Sequence, residues 1–144
     1  MFYLNREQIK EIIPHRDPML LIDEVLEMIP EKSIKARFFV NSDREIFKGH
    51  FPGQPVFPGV YTVECMAQAS DILLLSIDRY KGTIPLFIGI NNVKFLSKIN
   101  PGDTIEINSK IIVERMNKGI VTCCAEVFNS GEPAATGEVT LAMR

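Results

Sequence analysis

The chain has 144 residues, 46% of them hydrophobic, and its 16 basic and 18 acidic residues give a formal net charge of -2. This length and apolar content predict one domain, residues 1–144, that buries a core without disulfides or metals. The scattered Lys and Arg residues argue against nucleic-acid binding, which needs clustered positive charge. Charges interrupt the N-terminal segment and no apolar run reaches about 18 residues, so we expect a cytoplasmic protein without a membrane span.

The first third of the chain predicts a short helix and a hairpin. Asn5 followed by Gln8 is typical of a capping box, and Pro14 must end the helix that it begins. Two extended segments follow, residues 20–29 and 33–40, and the residues between them predict a turn. His15 has no carboxylate at a suggestive spacing, so we interpret it as a structural histidine.

The remaining elements predict one long helix and a sheet. Residues 41–57 are irregular and rich in Gly, Pro and Asp, whereas residues 58–80 lack breakers after their start and predict a helix of roughly 30 Å. Its apolar residues lie on all sides, so protein should surround it. Four more extended segments predict an antiparallel meander: 85–95, 104–113, 120–128 and 135–142. The fold class is therefore α+β, an antiparallel sheet curled around one long central helix.

The three cysteines are predicted to be core thiols. An odd number fits a reduced cytosolic setting, and the adjacent pair Cys123 and Cys124 lacks CxxC spacing. On a strand, the two side chains of that pair would point to opposite faces and could not share one ligand. Cys65 lies in the predicted helix and favours packing over nucleophilic chemistry. We therefore expect no metal site.

Three polar residues, Glu64, Gln68 and Asp71, stand on one face of the predicted long helix because their spacing is i, i+4 and i+7. They form either a solvated face or a buried functional stripe. The second interpretation gains weight because the rest of the helix already demands burial. A buried Glu64 would be a neutral acid or the partner of a histidine, and His50, in a stiff Pro/Gly loop, is the obvious complement.

The start of the same helix predicts an electrophilic site where a carbonyl oxygen can dock. Pro58 and Gly59 open the helix, so the amide N–H groups of its first turn lack intrahelical acceptors. Glycine lets a carbonyl oxygen approach the Gly59 N–H closely. Together with His50 and Glu64, these are the components of proton abstraction next to a carbonyl followed by elimination.

The residues in and around this loop resemble those of the 3-hydroxyacyl-[acyl carrier protein] dehydratases of type II fatty acid synthesis. The resemblance extends over nearly the whole chain. It is carried by residues 49–53 with Pro55, Pro58, Gly59 and Glu64, by residues 13–16 and 20–23, and by residues 89–95 and 101–103. It implies a hot-dog fold and an obligate homodimer in which His50 and Glu64 come from different subunits. Such dimers commonly assemble further into trimers of dimers.

The resemblance also implies a role for each site residue. His50 would be the base that removes a C2 proton, and Glu64 the acid that protonates the departing C3 hydroxyl. The Gly59 N–H would hold the thioester oxygen, Gln68 would position Glu64 or a water, and the Val56 carbonyl would fix the tautomer of His50. No cofactor or metal is implied beyond the phosphopantetheine arm of acyl carrier protein, which carries the substrate.

Some residues depart from the family pattern. Asp71 stands where the family usually has a small residue, Asp17 where it has an aromatic and Asn91 where it has an aspartate. Glu64 itself favours plain dehydration, because the related dehydratase that also isomerises the double bond carries an aspartate there.

Two alternatives remain open from the sequence. One is a non-catalytic hot-dog module that binds an acyl thioester, and the other is a hot-dog thioesterase that uses a carboxylate to activate water. Lys94 and Lys98 either attract an acidic carrier protein or belong to an ordinary solvated strand edge.

Overall fold

The computed structural model of the protein describes residues 2–144. The helices are α1 (Arg6–Lys10), α2 (Ile46–Gly49) and α3 (Gly59–Leu75). The strands are β1 (Glu24–Ile29), β2 (Ser33–Phe39), β3 (Pro85–Phe95), β4 (Thr104–Arg115), β5 (Ile120–Asn129) and β6 (Glu132–Met143). The strands form one antiparallel sheet in the order β1-β2-β4-β5-β6-β3, and α3 contacts five of them. The predicted α+β architecture, one long helix against an antiparallel sheet, is confirmed.

The predicted meander is correct for β4, β5 and β6 but wrong for β3. Strand β3 pairs with β6 at one edge of the sheet, whereas β4 lies between β2 and β5. The physical reason is the length of the connection: residues 96–103 separate β3 from β4, and tight hairpins between neighbouring strands use about two to five residues. This link therefore carries the chain across to a different part of the sheet.

The predicted long helix is correct in its start and wrong in its end. It begins at Gly59 as expected but stops at Leu75, followed by a separate 3₁₀ turn at Asp78–Tyr80. The Ser76 hydroxyl donates to the Ile72 carbonyl at 2.7 Å, and Ile77 is extended, with a ψ of 129°. The side-chain bond from Ser76 back to residue i−4 and the extended β-branched residue that follows end the helix five residues earlier than predicted.

Burial explains why α3 is central. Thirteen of its 17 residues are buried, including the polar side chains of Gln68, Ser70 and Asp71. The Ser70 hydroxyl is paired with the hydroxyl of Ser109 on β4, at 2.7 Å. The helix is therefore enclosed on almost every face, as its apolar composition predicts.

The N-terminal segment lies against α3. The capping box at α1 is confirmed, because Asn5 and Gln8 exchange backbone-to-side-chain hydrogen bonds. The hairpin is confirmed as β1 and β2, although β1 begins at Glu24 and not at Leu20. Residues 20–22 are almost completely buried and run as an irregular segment that hydrogen-bonds to α3. In this segment the Leu21 N–H therefore bonds to the Gln68 side chain of α3 and not to a neighbouring strand.

Strand β3 forms the outer edge of the sheet on the β6 side. Its free edge is rich in exposed apolar side chains, which are Leu86, Phe87, Ile88, Ile90 and Phe95. Long apolar edge strands are usually covered in native proteins, because they offer unpaired backbone groups to another chain.

Among residues 2–144, no helix is both long enough and apolar enough to span a membrane.

Candidate active site

The His50 ring is held by the loop that follows α2. Its Nδ1 lies 2.8 Å from the carbonyl oxygen of Val56, and the Val56 N–H donates back to the His50 carbonyl at 3.0 Å. A carbonyl only accepts hydrogen bonds, so Nδ1 carries the hydrogen and Nε2 of the neutral ring presents a lone pair. The predicted contact between His50 and Val56 is present, and its catalytic role stays a prediction.

The start of α3 places Gly59 beside an aromatic side chain. Pro58 is the extended residue before the helix, and within residues 2–144 the Gly59 N–H has no hydrogen-bond acceptor. A Cβ atom at Gly59 would lie 2.9 Å from the ring of Phe95 at the end of β3. The Gly59 backbone therefore lies closer to the Phe95 ring than any residue with a Cβ atom could. Within the described chain, its N–H remains free to donate a hydrogen bond.

A surface pocket of about 510 Å³ opens next to this donor. Gly59, Val56, Thr62, Phe95 and Lys98 are among its lining residues. A larger cavity of about 820 Å³ lies at the far end of α3 around Leu75 and Ser76, and none of the predicted site residues lines it. The pocket beside Gly59 is therefore the one that suits a thioester near the predicted site.

Glu64 lies in a partly buried position one turn into α3. Its side chain is 19% exposed, and its Oε2 accepts a hydrogen bond from Gln68 Nε2 at 2.9 Å. Burial raises the pKa of the Glu64 carboxyl, and the Gln68 hydrogen bond opposes this only in part. The carboxyl group is thus shifted towards its neutral, proton-donating form.

Gln68 connects Glu64 to the N-terminal segment. Its Oε1 accepts from the Leu21 N–H at 2.8 Å, and its Nε2 donates to the Met19 carbonyl at 2.8 Å as well as to Glu64. The Gln68 side chain is completely buried. Each polar atom of the amide is therefore used, and the orientation of Glu64 depends on residues 19–21.

His15 has a different environment from the one its sequence position predicts. Its Nε2 lies 3.6 Å from Asp71 Oδ2 and 3.9 Å from Glu64 Oε2. The absence of a carboxylate nearby in sequence was misleading, because the partners come from α3, 49 and 56 positions along the chain. The signal that points to this contact is the polar stripe of α3, whose inward carboxyl groups need polar neighbours.

His50 and Glu64 do not meet within one chain. Across the described part of the chain, residues 2–144, no hydrogen bond or ion pair joins them, and the histidine beside Glu64 is His15. The expectation that the two residues combine from different subunits is consistent with this separation and stays a prediction.

Comparison with known proteins places the chain in a family. The model of the FabA-like domain matches residues 13–138. The 3-hydroxyacyl-[acyl-carrier-protein] dehydratase FabZ of Latilactobacillus sakei is 42% identical over 137 residues, which cover 95% of this chain and 96% of that protein. The chain belongs to the FabZ family. The family predicted from the residues around His50 is therefore confirmed.

Solved structures show the same hot-dog fold. The chain is similar to the dehydratase heterocomplex ApeI:P from Xenorhabdus doucetiae, with a TM-score of 0.79 and 16% identity over 94% of this chain and 90% of that one. It is also similar to zebrafish thioesterase superfamily member 2, with a TM-score of 0.68 and 16% identity over 98% of this chain and 99% of that one. Because one scaffold supports both chemistries, these likenesses establish the fold and leave the reaction to the site.

The three departures from the family pattern lie in different environments. Asp17 is mostly exposed and forms an ion pair with Arg6, and Asn91 lies on the exposed face of β3. Asp71 alone is buried, with 2% of its surface exposed. Asp71 is therefore the one departure of the three that places a different side chain in the protein interior beside Glu64.

The prediction of core thiols is correct for Cys65 and Cys123 and wrong for Cys124, which is partly exposed. Cys65 and Cys123 are buried, and burial raises the pKa of both thiols, that of Cys123 to about 11. Cys123 and Cys124 point to opposite faces of β5, as predicted, because one is buried and the other is partly exposed. Among the described residues, no group of three or more His, Cys, Asp or Glu side chains is arranged to hold a metal ion.

Proposed function

We propose that this member of the FabZ family dehydrates (3R)-3-hydroxyacyl thioesters on acyl carrier protein to trans-2-enoyl thioesters. One observation carries the assignment of roles: two groups of the site have complementary states. His50 presents a lone pair at Nε2 because Val56 occupies Nδ1, and burial shifts Glu64 towards its neutral form by raising its pKa. One group can take a proton and the other can give one.

The elimination uses both groups on one substrate. The C2–H bond breaks and its proton goes to Nε2 of His50, while the electron pair forms the C2–C3 double bond. The C3–O bond breaks as the oxygen takes the Glu64 proton and leaves as water. The Gly59 N–H donates to the thioester oxygen, where negative charge develops. The reaction is redox neutral, so we propose no cofactor beyond the phosphopantetheine arm that carries the acyl group.

We further propose that the site is completed in a homodimer. One chain leaves His50 and Glu64 apart, and it leaves the apolar edge of β3 uncovered. Pairing of β3 with β3 of a second copy would extend the sheet, cover that edge and bring the Phe95 end of each chain to its partner. Sedimentation at micromolar concentration distinguishes a dimer from a trimer of dimers, and a monomeric mass overturns this part of the proposal.

The whole chain would then act as one dehydratase domain in the cytoplasm, where acyl carrier protein delivers the substrate. Lys94 and Lys98 are exposed, and Lys98 lines the pocket beside Gly59. A basic side chain at the mouth of the pocket suits an acidic carrier protein.

The decisive assay follows 3-hydroxyacyl-carrier substrates of several chain lengths. We expect enoyl product from the unmodified protein and a loss of about 100-fold to 10,000-fold in kcat for both His50→Ala and Glu64→Gln. Glu7→Gln is the matched control, because the Glu7 side chain is 80% exposed on α1. Release of free thiol, detected with a thiol-trapping dye, would identify a thioesterase, and binding without turnover would identify a non-catalytic module.

A mixing experiment tests the shared site. If each site combines His50 of one protomer with Glu64 of its partner, a mixed dimer of the two inactive variants retains one intact site. Random pairing makes about half of the dimers mixed, so co-expression should restore about a quarter of the normal activity. No recovery in isolated mixed dimers would contradict a site shared between subunits.

A further inference from the structure

Asp71 is the only Asp or Glu residue that is fully buried among residues 2–144. Its Oδ1 has no hydrogen-bond partner, and its Oδ2 lies 3.6 Å from His15 Nε2. An ionised carboxylate in such a place is very unfavourable without a cation or several donors. Burial and the nearby charge of Glu64 raise the pKa of Asp71 well above its usual range. Asp71 is therefore shifted towards its neutral, protonated form.

His15 lies between Asp71 and Glu64. Its Nε2 is within 4 Å of one oxygen of each carboxyl group, and its Nδ1 is buried without a partner. Both separations are longer than a hydrogen bond, so a small rotation of the imidazole decides which carboxyl group it contacts. Burial and the adjacent Arg16 lower the pKa of His15, which favours the neutral ring.

Among the described residues, no cationic side chain pairs with Asp71 or Glu64 and favours their ionised forms. Glu64 faces Asp71 from the same helix, and Cys123 faces it from β5 with a thiol that burial keeps protonated. Arg16 acts on His15, and across residues 2–144 no Lys or Arg forms an ion pair with Asp71 or Glu64. Two carboxyl groups in one site without a cation cannot both ionise easily, so at least one of them stays protonated.

We propose that Asp71 and His15 are positioning residues for Glu64, which keep a proton within reach of the carboxyl group that must donate one. The O–H bond of Asp71 breaks and the proton binds Nε2 of His15. The same proton then passes from Nε2 to Oε2 of Glu64. Asp71 is left as a transient carboxylate that must regain a proton, His15 is neutral again and Glu64 is the acid.

This inference rests on the proposed dehydration, in which Glu64 protonates the leaving hydroxyl. After water leaves, Glu64 and Asp71 together have lost one proton and His50 has gained the one from C2. Release of the His50 proton to solvent and uptake of one proton by the cluster restore the starting state. The cluster thus acts as a proton reserve beside the acid.

The pH dependence of kcat/KM tests the reserve, measured from about pH 5 to about pH 10. In Asp71→Asn, Glu64 has no proton to draw on once its own is lost, so the alkaline limb should move down by about one pH unit. Activity should fall about tenfold above neutral pH and match the unmodified protein at the acid end. Asp78→Asn is the matched control, because the Asp78 side chain is 94% exposed.

His15→Gln separates a path through the imidazole from a direct effect of Asp71. Glutamine can hydrogen-bond like the imidazole but cannot take up a proton, so the same alkaline shift is expected. The double variant should shift no further than either single variant, since both changes interrupt one path. A purely structural role predicts an equal loss at every pH, and that outcome, or an unshifted alkaline limb in Asp71→Asn, overturns the proposal.

An infrared measurement provides a readout that needs no turnover. At neutral pH the unmodified protein should show the carbonyl stretch of a buried protonated carboxyl group. The band should persist in Glu64→Gln, and the component that comes from Asp71 should be lost in Asp71→Asn. If the band is present but the protein has no dehydratase activity, the proposed function fails and the protonated Asp71 stands. If the band is absent from the unmodified protein, the proton reserve is wrong.

Discussion

The two histidines of the chain have complementary environments. His50 has a fixed acceptor at Nδ1, the Val56 carbonyl, and no carboxyl group joins it by a hydrogen bond or ion pair within the described chain. His15 has two carboxyl groups near Nε2, Asp71 and Glu64, and a buried Nδ1 that contacts no acceptor. A hydrogen bond orients the His50 ring, but no carboxyl group of the described residues lies beside it to exchange a proton. The His15 ring has two carboxyl groups beside it, but no hydrogen bond from the described residues orients it.

The difference shows how the chain divides the work of a site. The loop around His50 fixes a tautomer, which a base needs before substrate arrives. The buried face of α3 around His15 instead raises the pKa of two carboxyl groups, Glu64 and Asp71, mainly through burial. Under the proposed function, each region contributes one half of an acid–base pair, and the two halves would meet in a dimer.

The largest effect is expected from Gln68→Leu, which breaks the link between α3 and residues 19–21. The substitution leaves the Leu21 N–H and the Met19 carbonyl without their partners and removes the donor to Glu64. Buried unpaired groups of this kind cost about 1–3 kcal/mol each, so we expect a loss of about 2–4 kcal/mol in the free energy of unfolding. Urea denaturation at fixed protein concentration measures it.

Gln54→Leu is the matched control for this change, because Gln54 is exposed in the His50 loop. It should leave the urea midpoint almost unchanged. If the urea midpoint of Gln68→Leu equals that of the control, other contacts hold residues 19–21 in place. The position of His15 would then not depend on the hydrogen bonds that Gln68 makes.

A smaller effect is expected from Gly59→Ala, on the His50 side of the comparison. The added methyl group would lie 2.9 Å from the Phe95 ring and must displace it. Because the ring lines the pocket beside the free Gly59 N–H, we expect kcat/KM to fall by about tenfold. Gly49→Ala is the control, since no atom lies within 4 Å of its added methyl group. Equal activity of the two variants would argue against a thioester docked at Gly59.

Much of the fold and half of the site could be predicted from the sequence. The Gly/Pro loop, the start of α3 and the Glu64, Gln68 and Asp71 stripe are local features, so residue type and helical spacing suffice to find them. The edge position of β3 and the contact of His15 with α3 are not local. Each depends on chain segments far apart in sequence, and a single histidine after Pro14 gives no sign of which carboxyl groups it will meet.

A third prediction concerns Asp71→Asn and the stability of the folded chain. Burial raises the pKa of Asp71 in the folded state, so the unfolded state ionises first as pH rises above the ordinary Asp range. The stability of the unmodified protein is therefore lowered as pH rises towards the folded-state pKa. Asparagine removes this cost, and the melting temperature of Asp71→Asn should exceed that of the unmodified protein by more at pH 8 than at pH 4.

Asp78→Asn again serves as the control, and its difference from the unmodified protein should not grow with pH. A constant difference for Asp71→Asn across this range would mean that Asp71 is ionised in the folded protein. Stability and alkaline activity should thus move in opposite directions in this one variant, which a general loss of packing would not produce.

The smallest effect is expected at His15 itself. Burial and Arg16 lower its pKa, so on acidification the unfolded chain takes up a proton that the folded chain resists. Ring ¹⁵N shifts, assigned with His15→Gln, should show His15 titrating below about 6.5, the ordinary value for histidine. The same variant should gain stability relative to the unmodified protein only at acid pH. A His15 ring that is already charged at neutral pH would form an ion pair with Asp71, which would then be ionised, and the contrast with His50 would disappear.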